Sequence, residues 1–273
     1  MFHRDLLPIV RTRPSDAAGL VYAGGIEEDG MILTGRVRST KTGATYEVKN
    51  GYLDLLKNHI GADNVANLTN FLPGAGRGYE PLWRVRSLTL LTGERFSNER
   101  ELKIISDLLM PERGGRYLDL GCSAGLYTRS LALGGGDLVG IDISPTMLKE
   151  AARQARGIGA RASFARADAK SLPFDDASFA GAVCGGSLNE FGDPSRVLRE
   201  TRRVLKADAR LAVMGILRAN TSRGRRLQRL LSIGGIRFFD PVELGNLFDR
   251  AGFDLDPLKT YGPVFFAGAT RRA

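Results

Sequence analysis

Two short stretches of the chain carry residue types suited to holding a nucleoside. In Tyr117-Leu-Asp-Leu-Gly-Cys-Ser-Ala-Gly125, four residues predict a buried strand, and the small residues after them predict a turn into a helix at 126–133. Such a turn brings backbone N–H groups and a helix N-terminus up to a ligand. The second stretch, Leu138-Val-Gly-Ile-Asp142, predicts a strand that ends in a carboxylate. A carboxylate about 20 residues beyond a glycine turn is placed to accept both hydroxyls of a ribose, so the pair predicts an adenosine-containing cofactor.

The spacing of the small residues indicates which kind of adenosine compound is bound. A dinucleotide turn has the pattern G-x-G-x-x-G, whereas Gly121, Ser123 and Gly125 give G-x-S-x-G, and Leu126 stands where a third glycine would be needed. Asp119 precedes the turn, and its carboxylate would repel a pyrophosphate but suit an ammonium group. The turn therefore favours a cofactor with a cationic end over a dinucleotide.

These two stretches resemble the first motif and its successor in class I S-adenosylmethionine-dependent methyltransferases of the type 11 group. The resemblance covers residues 97–273 and departs from the family at Ser123, where glycine is usual. It implies an α/β, Rossmann-like fold: a seven-stranded, mostly parallel sheet with helices on both faces and an antiparallel last strand. It also implies S-adenosyl-L-methionine as cofactor, S-adenosyl-L-homocysteine as product, and no metal.

The resemblance assigns cofactor roles to residues at the strand ends. Backbone groups of the glycine turn, with Asp119 nearby, would hold the methionine end, and Asp142 would hold the ribose. Ile143 and Met147 would lie against the adenine, whose edge Asp168 and Ala169 would read; capping of its own turn is the alternative role for Asp168. The expected cofactor set is Asp119, Gly121, Cys122, Ser123, Gly125, Asp142, Ile143, Met147, Asp168, Ala169 and Gly185.

Residues after the fourth predicted strand, from Gly185 to Glu190, face the transfer site in this architecture. Glu190 is the nearest candidate general base, Asn189 stands where relatives often carry histidine, and Tyr79 is a weaker candidate. A base is needed for a phenol or an alcohol and less so for an already acidic carbon. We therefore expect proximity and orientation to be the main catalytic device. The predicted substrate pocket consists of Tyr79, Trp83, Ser187, Leu227 and Tyr261.

Alternation of strand and helix patterns from residue 117 onward predicts the parallel sheet. Strands are expected at 162–166, 179–184, 210–215, 253–256 and 264–269. Ser144, Asp193 and Asp240 each precede a proline, which predicts N-caps for helices at 145–156, 194–206 and 241–251.

Three regions flank or interrupt this pattern. Residues 1–58 show strand-like alternation at 31–37 and 44–56 and resemble a zinc-ribbon-like arm. The four metal-ligand positions of that arm are occupied here by Leu7, Val10, Ser39 and Thr42. None of these residues supplies a thiolate, so we expect a degenerate β unit without metal. Residues 59–96 have the composition of a linker followed by a helical lid. The insertion at 217–239 combines arginines with leucines at helical spacing; a lid with its leucines facing the pocket is favoured, and contact with an anionic membrane surface is the alternative.

Composition limits the partners without choosing among them. The 273-residue chain is 43% hydrophobic with 39 Lys and Arg against 30 Asp and Glu, a net charge of +9 that permits nucleic-acid binding without requiring it. No apolar run approaches 18 residues, so no transmembrane segment is expected. Two cysteines, expected to be reduced, and no signal-peptide pattern favour a cytoplasmic protein. The oligomeric state is left open.

The favoured function is methyl transfer to oxygen or carbon of a largely apolar small molecule. An RNA base methyltransferase is the alternative, supported by the ribbon-like arm and the basic charge. A non-catalytic, adenosine-binding subunit is the third hypothesis, and the intact acidic residues and glycines at the strand ends argue against it.

Overall fold

The computed structural model describes residues 1–11, 19–57 and 84–273. These residues form one continuous sheet of thirteen strands. The strands are β1 (Phe2–His3), β2 (Leu20–Glu28), β3 (Met31–Ser39), β4 (Thr45–Lys49), β5 (Tyr52–Asp54), β6 (Arg116–Leu120), β7 (Asp137–Asp142), β8 (Ala162–Arg166), β9 (Phe179–Gly185), β10 (Leu205–Ile216), β11 (Phe253–Leu255), β12 (Lys259–Tyr261) and β13 (Val264–Arg271).

The central strands run parallel in the order β8-β7-β6-β9-β10. Strand β13 pairs antiparallel with β10, and β11 pairs antiparallel with β13 on its other side. These seven strands confirm the predicted sheet and its antiparallel last strand. The order reverses between β6 and β9, which is where open α/β sheets hold their ligands, at the carboxyl ends of the strands.

Seven helices are described: α1 (Val85–Thr92), α2 (Asn98–Leu109), α3 (Leu126–Leu133), α4 (Pro145–Gly157), α5 (Pro194–Val204), α6 (Ser222–Ile233) and α7 (Pro241–Arg250). The predicted caps are confirmed, because the side chains of Ser144, Asp193 and Asp240 accept hydrogen bonds from the first turns of α4, α5 and α7. Within the described ranges, no helix combines the length and apolar character needed to cross a bilayer.

Apolar clusters cover both faces of the sheet. Side chains from α1, α2 and α3 pack with strand residues such as Tyr117 and Phe266, while α4 packs on Phe164. In the cluster on the opposite face of the sheet, α5 and α7 contribute Val197, Leu198, Leu244 and Phe248. The two layers of helices fix the strand ends in space, as a doubly wound fold requires.

The N-terminal strands join this sheet instead of folding as a sheet of their own. Strand β5 pairs in parallel with β8, with Leu53 opposite Ala165, and β4 and β3 continue the sheet outward. The 3-10 helix Arg4–Ile9 buries Leu6 and Leu7 in the same apolar cluster as α5 and α7. The predicted β-rich appendage is therefore present, but it is built into the edge of the central sheet because its apolar face finds partners there.

Two local features differ from the pattern read in the sequence. Helix α5 ends at Val204, and β10 begins at Leu205 instead of 210. Residues 207–209, between the predicted helix and strand, form an irregularity within β10. The pairing with β9 shifts there between Leu205 and Arg210, and Asp208 has a φ of 59°. An irregularity of this kind lets a strand continue where a turn would have ended it.

Candidate functional site

The glycine turn connects β6 to α3 in a conformation that small residues permit. Gly121, Ser123 and Gly125 all have positive φ, at 67°, 47° and 80°. The Ser187 hydroxyl donates a 2.9 Å hydrogen bond to the Gly121 carbonyl, and a Cβ at Gly121 would lie 2.5 Å from that hydroxyl oxygen. Glycine is therefore required at position 121 for the segment after β9 to approach the turn this closely.

The Asp142 carboxylate joins the turn to the next helix. One oxygen accepts from the Ser123 N–H at 2.9 Å and the other from the Ser144 N–H at 2.8 Å. Burial raises the pKa of Asp142 above its ordinary value, although the hydrogen bonds from Ser144, Ser123 and Ile143 act against that rise. The side chain is partly exposed, and each oxygen keeps a lone pair that can accept a further hydrogen bond.

Asp119 lies deeper than Asp142. It is buried, and one of its oxygens accepts from both the backbone N–H and the hydroxyl of Thr128, at 3.0 and 2.6 Å. Burial raises the pKa of Asp119 to about 6, while the Thr128 hydrogen bonds and the charge of Arg84 act in the opposite direction. With Arg84, Gly121 and Gly185 it lines a cavity of about 10 Å³, room for roughly one water molecule.

Sequence reasoning missed a buried polar group beside this cavity. The Arg84 guanidinium donates to the Glu101 carboxylate at 2.5 Å and lies over the ring of Tyr127, 5.0 Å from its centroid. The Tyr127 hydroxyl donates to the same carboxylate. These three side chains come from α3, α2 and the residue preceding α1, so no spacing in the sequence signals that they meet.

The third strand ends next to the second. The Ala167 N–H donates to the Asp142 carbonyl at 3.1 Å, and the Asp168 carboxylate accepts from the Lys170 N–H at 2.8 Å. Asp168 thus makes the turn-capping contact that was the alternative to adenine recognition. Its other oxygen lies 3.7 Å from the Lys170 ammonium, and the side chain is partly exposed. Ala169 is buried beside it.

Two residues expected against the adenine follow Asp142. Ile143 is partly exposed, and its carbonyl accepts from the Arg166 side chain at 3.0 Å. Met147 is fully buried in the first turn of α4. Arg166 also pairs with Asp54 of the N-terminal region at 3.4 Å, which connects that region to the loop after β7.

Glu190 lies beyond β9, across the switch point from Asp142. Burial, together with the negative charge of Asp142, raises the pKa of Glu190 to about 7. A carboxyl group with this pKa is divided between its acid and base forms near neutral pH, which suits general base catalysis.

Asn189, the neighbouring candidate, is committed to backbone groups. Its side-chain nitrogen donates to the carbonyls of Ile216 and Arg237 at 2.8 and 2.6 Å, and its oxygen accepts from the Ile216 N–H at 2.9 Å. It is buried and holds together the two ends of the insertion that contains α6. We therefore reassign Asn189 from catalysis to structure, because its amide has no hydrogen-bonding capacity left for a substrate except one lone pair.

The remaining pocket and turn candidates have different environments. Leu227 is 54% exposed on α6. Tyr261 packs its ring against Phe96 and Phe266 at 5.2 and 5.9 Å between centroids. Cys122 is buried in the glycine turn, where burial raises the pKa of its thiol well above the ordinary value. The predictions for Tyr79 and Trp83 fall outside the described residues.

No group of three or more His, Cys, Asp or Glu side chains in the described part of the chain is arranged to hold a metal ion. Leu7 and Val10, at two of the degenerate ribbon positions, are buried in the apolar core. The Ser39 hydroxyl accepts from the Thr42 N–H at 3.2 Å, so the other two positions close a turn.

Comparison with known proteins identifies the domain to which this site belongs. Residues 118–213 match the family model of the methyltransferase domain. A demethylmenaquinone methyltransferase of Thermotoga maritima is 28% identical over 61% of this chain and 80% of that protein. A 2-phytyl-1,4-naphtoquinone methyltransferase of Trichormus variabilis is 35% identical over 42% of this chain. The match spans about half the length of that protein and of several other relatives.

A solved structure gives the same result for the fold. A S-adenosylmethionine-dependent methyltransferase of Methanosarcina mazei is 25% identical, with a TM-score of 0.55 over 62% of this chain and 97% of that protein. With the family model over residues 118–213 and the relatives, this identifies a methyltransferase domain of the S-adenosylmethionine-dependent kind within the chain.

Proposed function

We propose that the protein transfers the methyl group of S-adenosylmethionine to oxygen or carbon of a largely apolar small molecule, an aromatic ring of the quinol class. The observation that carries this proposal is the pair of carboxyl groups beyond the ends of β7 and β9, the two strands that flank β6. Asp142 is held between two backbone N–H groups, and Glu190 has a pKa of about 7. The relatives named for naphthoquinone and menaquinone substrates support the acceptor class.

Residues of the glycine turn and the next two strand ends fit the cofactor. Asp142 accepts the ribose hydroxyls with its remaining lone pairs, and Asp168 with Ala169 meets the adenine edge. Ile143 and Met147 flank the adenine, and backbone at Gly121, Cys122, Ser123, Gly125 and Gly185 borders the methionine end. Arg84 and Asp119 supply a positive and a negative charge there, which suits a zwitterionic amino acid. The cavity of about 10 Å³ requires Arg84 to move outward as the methionine end enters.

Glu190 acts as the general base. The cofactor supplies an electrophilic methyl group on a sulfonium. Glu190 takes the proton of the acceptor hydroxyl, which leaves a phenolate whose charge lies on the oxygen and on the ring carbons beside it. Orientation by the walls of the site then decides whether oxygen or carbon is methylated. We propose Ser187 and Tyr261 as parts of those walls, and Tyr79 and Trp83 remain predicted parts of them. The cytoplasmic location and the role of residues 59–96 as a lid also remain predictions.

The test combines a binding titration with a transfer assay on the full chain. Calorimetry should give an affinity for S-adenosylhomocysteine that falls about ten- to a hundredfold in Asp142→Asn, since a hydrogen bond to a charged group is lost. Radiolabelled methyl transfer should be seen with a naphthoquinol and not with ribosomal RNA. Salt-dependent methylation of RNA with no transfer to quinols would establish the RNA alternative instead.

A further inference from the structure

Helix α6 presents its apolar side chains to solvent. Leu227, Leu230, Leu231 and Ile233 are between 42% and 81% exposed. The buried residue of the helix is Gln228, whose side chain donates to the Leu217 carbonyl at 2.9 Å and accepts from the Ala219 N–H at 2.8 Å. An ordinary surface helix has the reverse arrangement, with apolar residues inward and polar residues outward. A contiguous exposed apolar face of this kind marks an interaction site.

Positive charge surrounds that face. The chain has no acidic residue between positions 209 and 239, whereas arginines occupy positions 218, 223, 225, 226, 229 and 237. Arg223, Arg226 and Arg229 form no ion pair with any residue that the structure describes. Arg218 and Arg237 share a single carboxylate, that of Glu243, at 3.7 and 2.5 Å.

A groove beside the helix gathers part of this charge. Its volume is about 510 Å³, and its lining includes Arg218, Arg225, Arg229 and Arg237. Anionic groups of phosphate size fit beside arginines in such a groove because a guanidinium binds phosphate through two parallel hydrogen bonds. The groove adjoins the exposed leucines, so one partner has to satisfy both the arginines and the apolar side chains.

We propose that α6 docks on the surface of an anionic phospholipid bilayer. Leu227, Leu230, Leu231 and Ile233 enter the boundary between headgroups and acyl chains, and the arginines bind lipid phosphates. A bilayer supplies apolar and anionic groups side by side over the whole length of the helix, as interfacial helices require. Nucleic acid satisfies the arginines alone and leaves the leucines in water.

The docking surface lies at the edge of the sheet that carries the candidate site. Asn189, which precedes Glu190, holds the Ile216 and Arg237 carbonyls and thereby both ends of the α6 insertion. A protein bound through α6 therefore turns the carboxyl ends of its strands toward the bilayer. The inference goes beyond the proposed function and does not depend on it, because lipid binding is measured without methyl transfer.

Co-sedimentation of the full chain with vesicles tests the proposal. One set of vesicles is phosphatidylcholine, and the other contains one part phosphatidylglycerol to three parts phosphatidylcholine. We expect binding to the second set only. Arg223→Gln, Arg226→Gln and Arg229→Gln together should lower the partition constant by about a hundredfold, on the basis of the attraction of each arginine to an anionic surface. Leu230→Ser with Ile233→Ser should lower it by at least tenfold through lost apolar insertion.

Matched variants elsewhere on the surface control for charge and hydrophobicity. Arg36→Gln, Arg38→Gln and Arg199→Gln remove the same number of exposed charges, and Leu133→Ser with Ile158→Ser removes exposed apolar side chains at the far ends of α3 and α4. These controls should change the partition constant by less than about threefold. Affinity for S-adenosylhomocysteine should stay unchanged in every variant, which shows that folding is intact.

Three results would overturn the proposal. The first is equal binding of the wild-type chain to neutral and anionic vesicles, or to neither. The second is arginine-dependent binding to RNA that the Leu230→Ser and Ile233→Ser changes leave intact. The third is concentration-dependent self-association that those two changes abolish while vesicle binding is absent, which would make the apolar face a contact between two copies of the chain.

Discussion

Asp142 ends β7 and Glu190 follows β9, the two strands that flank β6, and the charge of Asp142 affects the pKa of Glu190. The pKa of Glu190 is about 7 because the side chain is buried and because Asp142 is negatively charged nearby. A raised pKa keeps the Glu190 carboxyl group protonated below about pH 7. Above that pH the group is ionised and can act as a base. The protein should therefore gain activity as pH rises through 7, provided that the acceptor carries a hydroxyl.

Replacing Glu190 by glutamine tests this role. Glu190→Gln should lower kcat by about a hundredfold or more at pH 8, since loss of a general base costs at least that factor. The rise of kcat near pH 7 should disappear, while affinity for S-adenosylhomocysteine should change little. The measurement is a pH profile of kcat for both proteins. A variant that keeps the wild-type profile would remove Glu190 from the reaction and leave orientation as the main device.

At this scale, the sequence predicted the position of residues that lie at the ends of recognisable strands. Asp142 follows its strand directly and meets Ser123 and Ser144 through backbone N–H groups, which any sequence in this fold supplies. Arg84 and Asn189 differ, because their roles depend on side-chain contacts with other elements, 17 and 27 to 48 residues away. A contact of that length depends on tertiary packing, which local pattern does not contain.

Among the elements, the α6 insertion is attached through polar contacts, several of which involve Asn189. Asn189 makes three side-chain hydrogen bonds to Ile216 and Arg237, and the backbone of Arg237 also donates to the Asn189 carbonyl at 2.7 Å. These contacts fix where α6 begins and ends relative to β9. Helix α6 itself buries little apolar surface, so its position depends on polar contacts more than on packing.

Asn189→Ala should release the insertion without unfolding the sheet. The change leaves buried backbone groups of Ile216 and Arg237 unpaired, at a cost of about 1–3 kcal/mol for each such group. We expect faster amide hydrogen exchange across residues 217–239 and unchanged exchange in β6 and β7. The variant Ser195→Ala, at a half-buried site in the first turn of α5, is a suitable control. Equal exchange rates across residues 217–239 in the wild-type protein and in Asn189→Ala would contradict the proposal that Asn189 holds the insertion in place.

The sequence predicted the elements more reliably than their orientation. Helix starts at Ser144, Asp193 and Asp240 were recognisable because a cap followed by proline is a local signal. The leucine spacing in 217–239 correctly predicted a helix but not which side its leucines face. Helical periodicity defines a stripe of side chains, whereas the neighbours of the helix decide whether that stripe lies inward.

At the scale of the whole molecule, the first residues of the chain contribute to the apolar cluster that covers one face of the sheet. Leu6, Leu7 and Val10 belong to the same apolar cluster as α5 and α7, and Val10 pairs with Phe174 in the segment between β8 and β9. No helix lies between β8 and β9 in the described structure, and the 3-10 helix Arg4–Ile9 packs on the face that one would cover. The N-terminal region thus replaces an element of the sheet's outer layer.

A substitution in this region should destabilise the entire protein. Leu7→Ala should lower the free energy of unfolding by about 2–5 kcal/mol, as for other fully buried leucines. Leu133→Ala, at an exposed position, should change it by less than about 0.5 kcal/mol. Urea denaturation followed by circular dichroism measures both. Separate transitions for the N-terminal region and the rest would instead support an independent unit.

Sequence patterns could not reveal that the N-terminal strands join the central sheet. The alternation at 31–37 and 44–56 correctly predicted β3, β4 and β5, because strand periodicity is local. The pairing of β5 with β8 joins residues that lie far apart in the chain, and each strand is compatible with several partners. Strand β2, which contains two consecutive glycines, carried too weak an alternation to be predicted.

Protein synthesis has to accommodate the pairing of β5 with β8. Asp54 and Arg166 are 112 positions apart, so at about 5–20 residues per second the ribosome completes β8 roughly 6–20 s after β5 has been made. Throughout that interval the nascent chain exposes unpaired strands and the leucines of its first turn to water. Binding of a chaperone to this early segment, followed by release once β8 has emerged, would protect the chain from aggregation during translation.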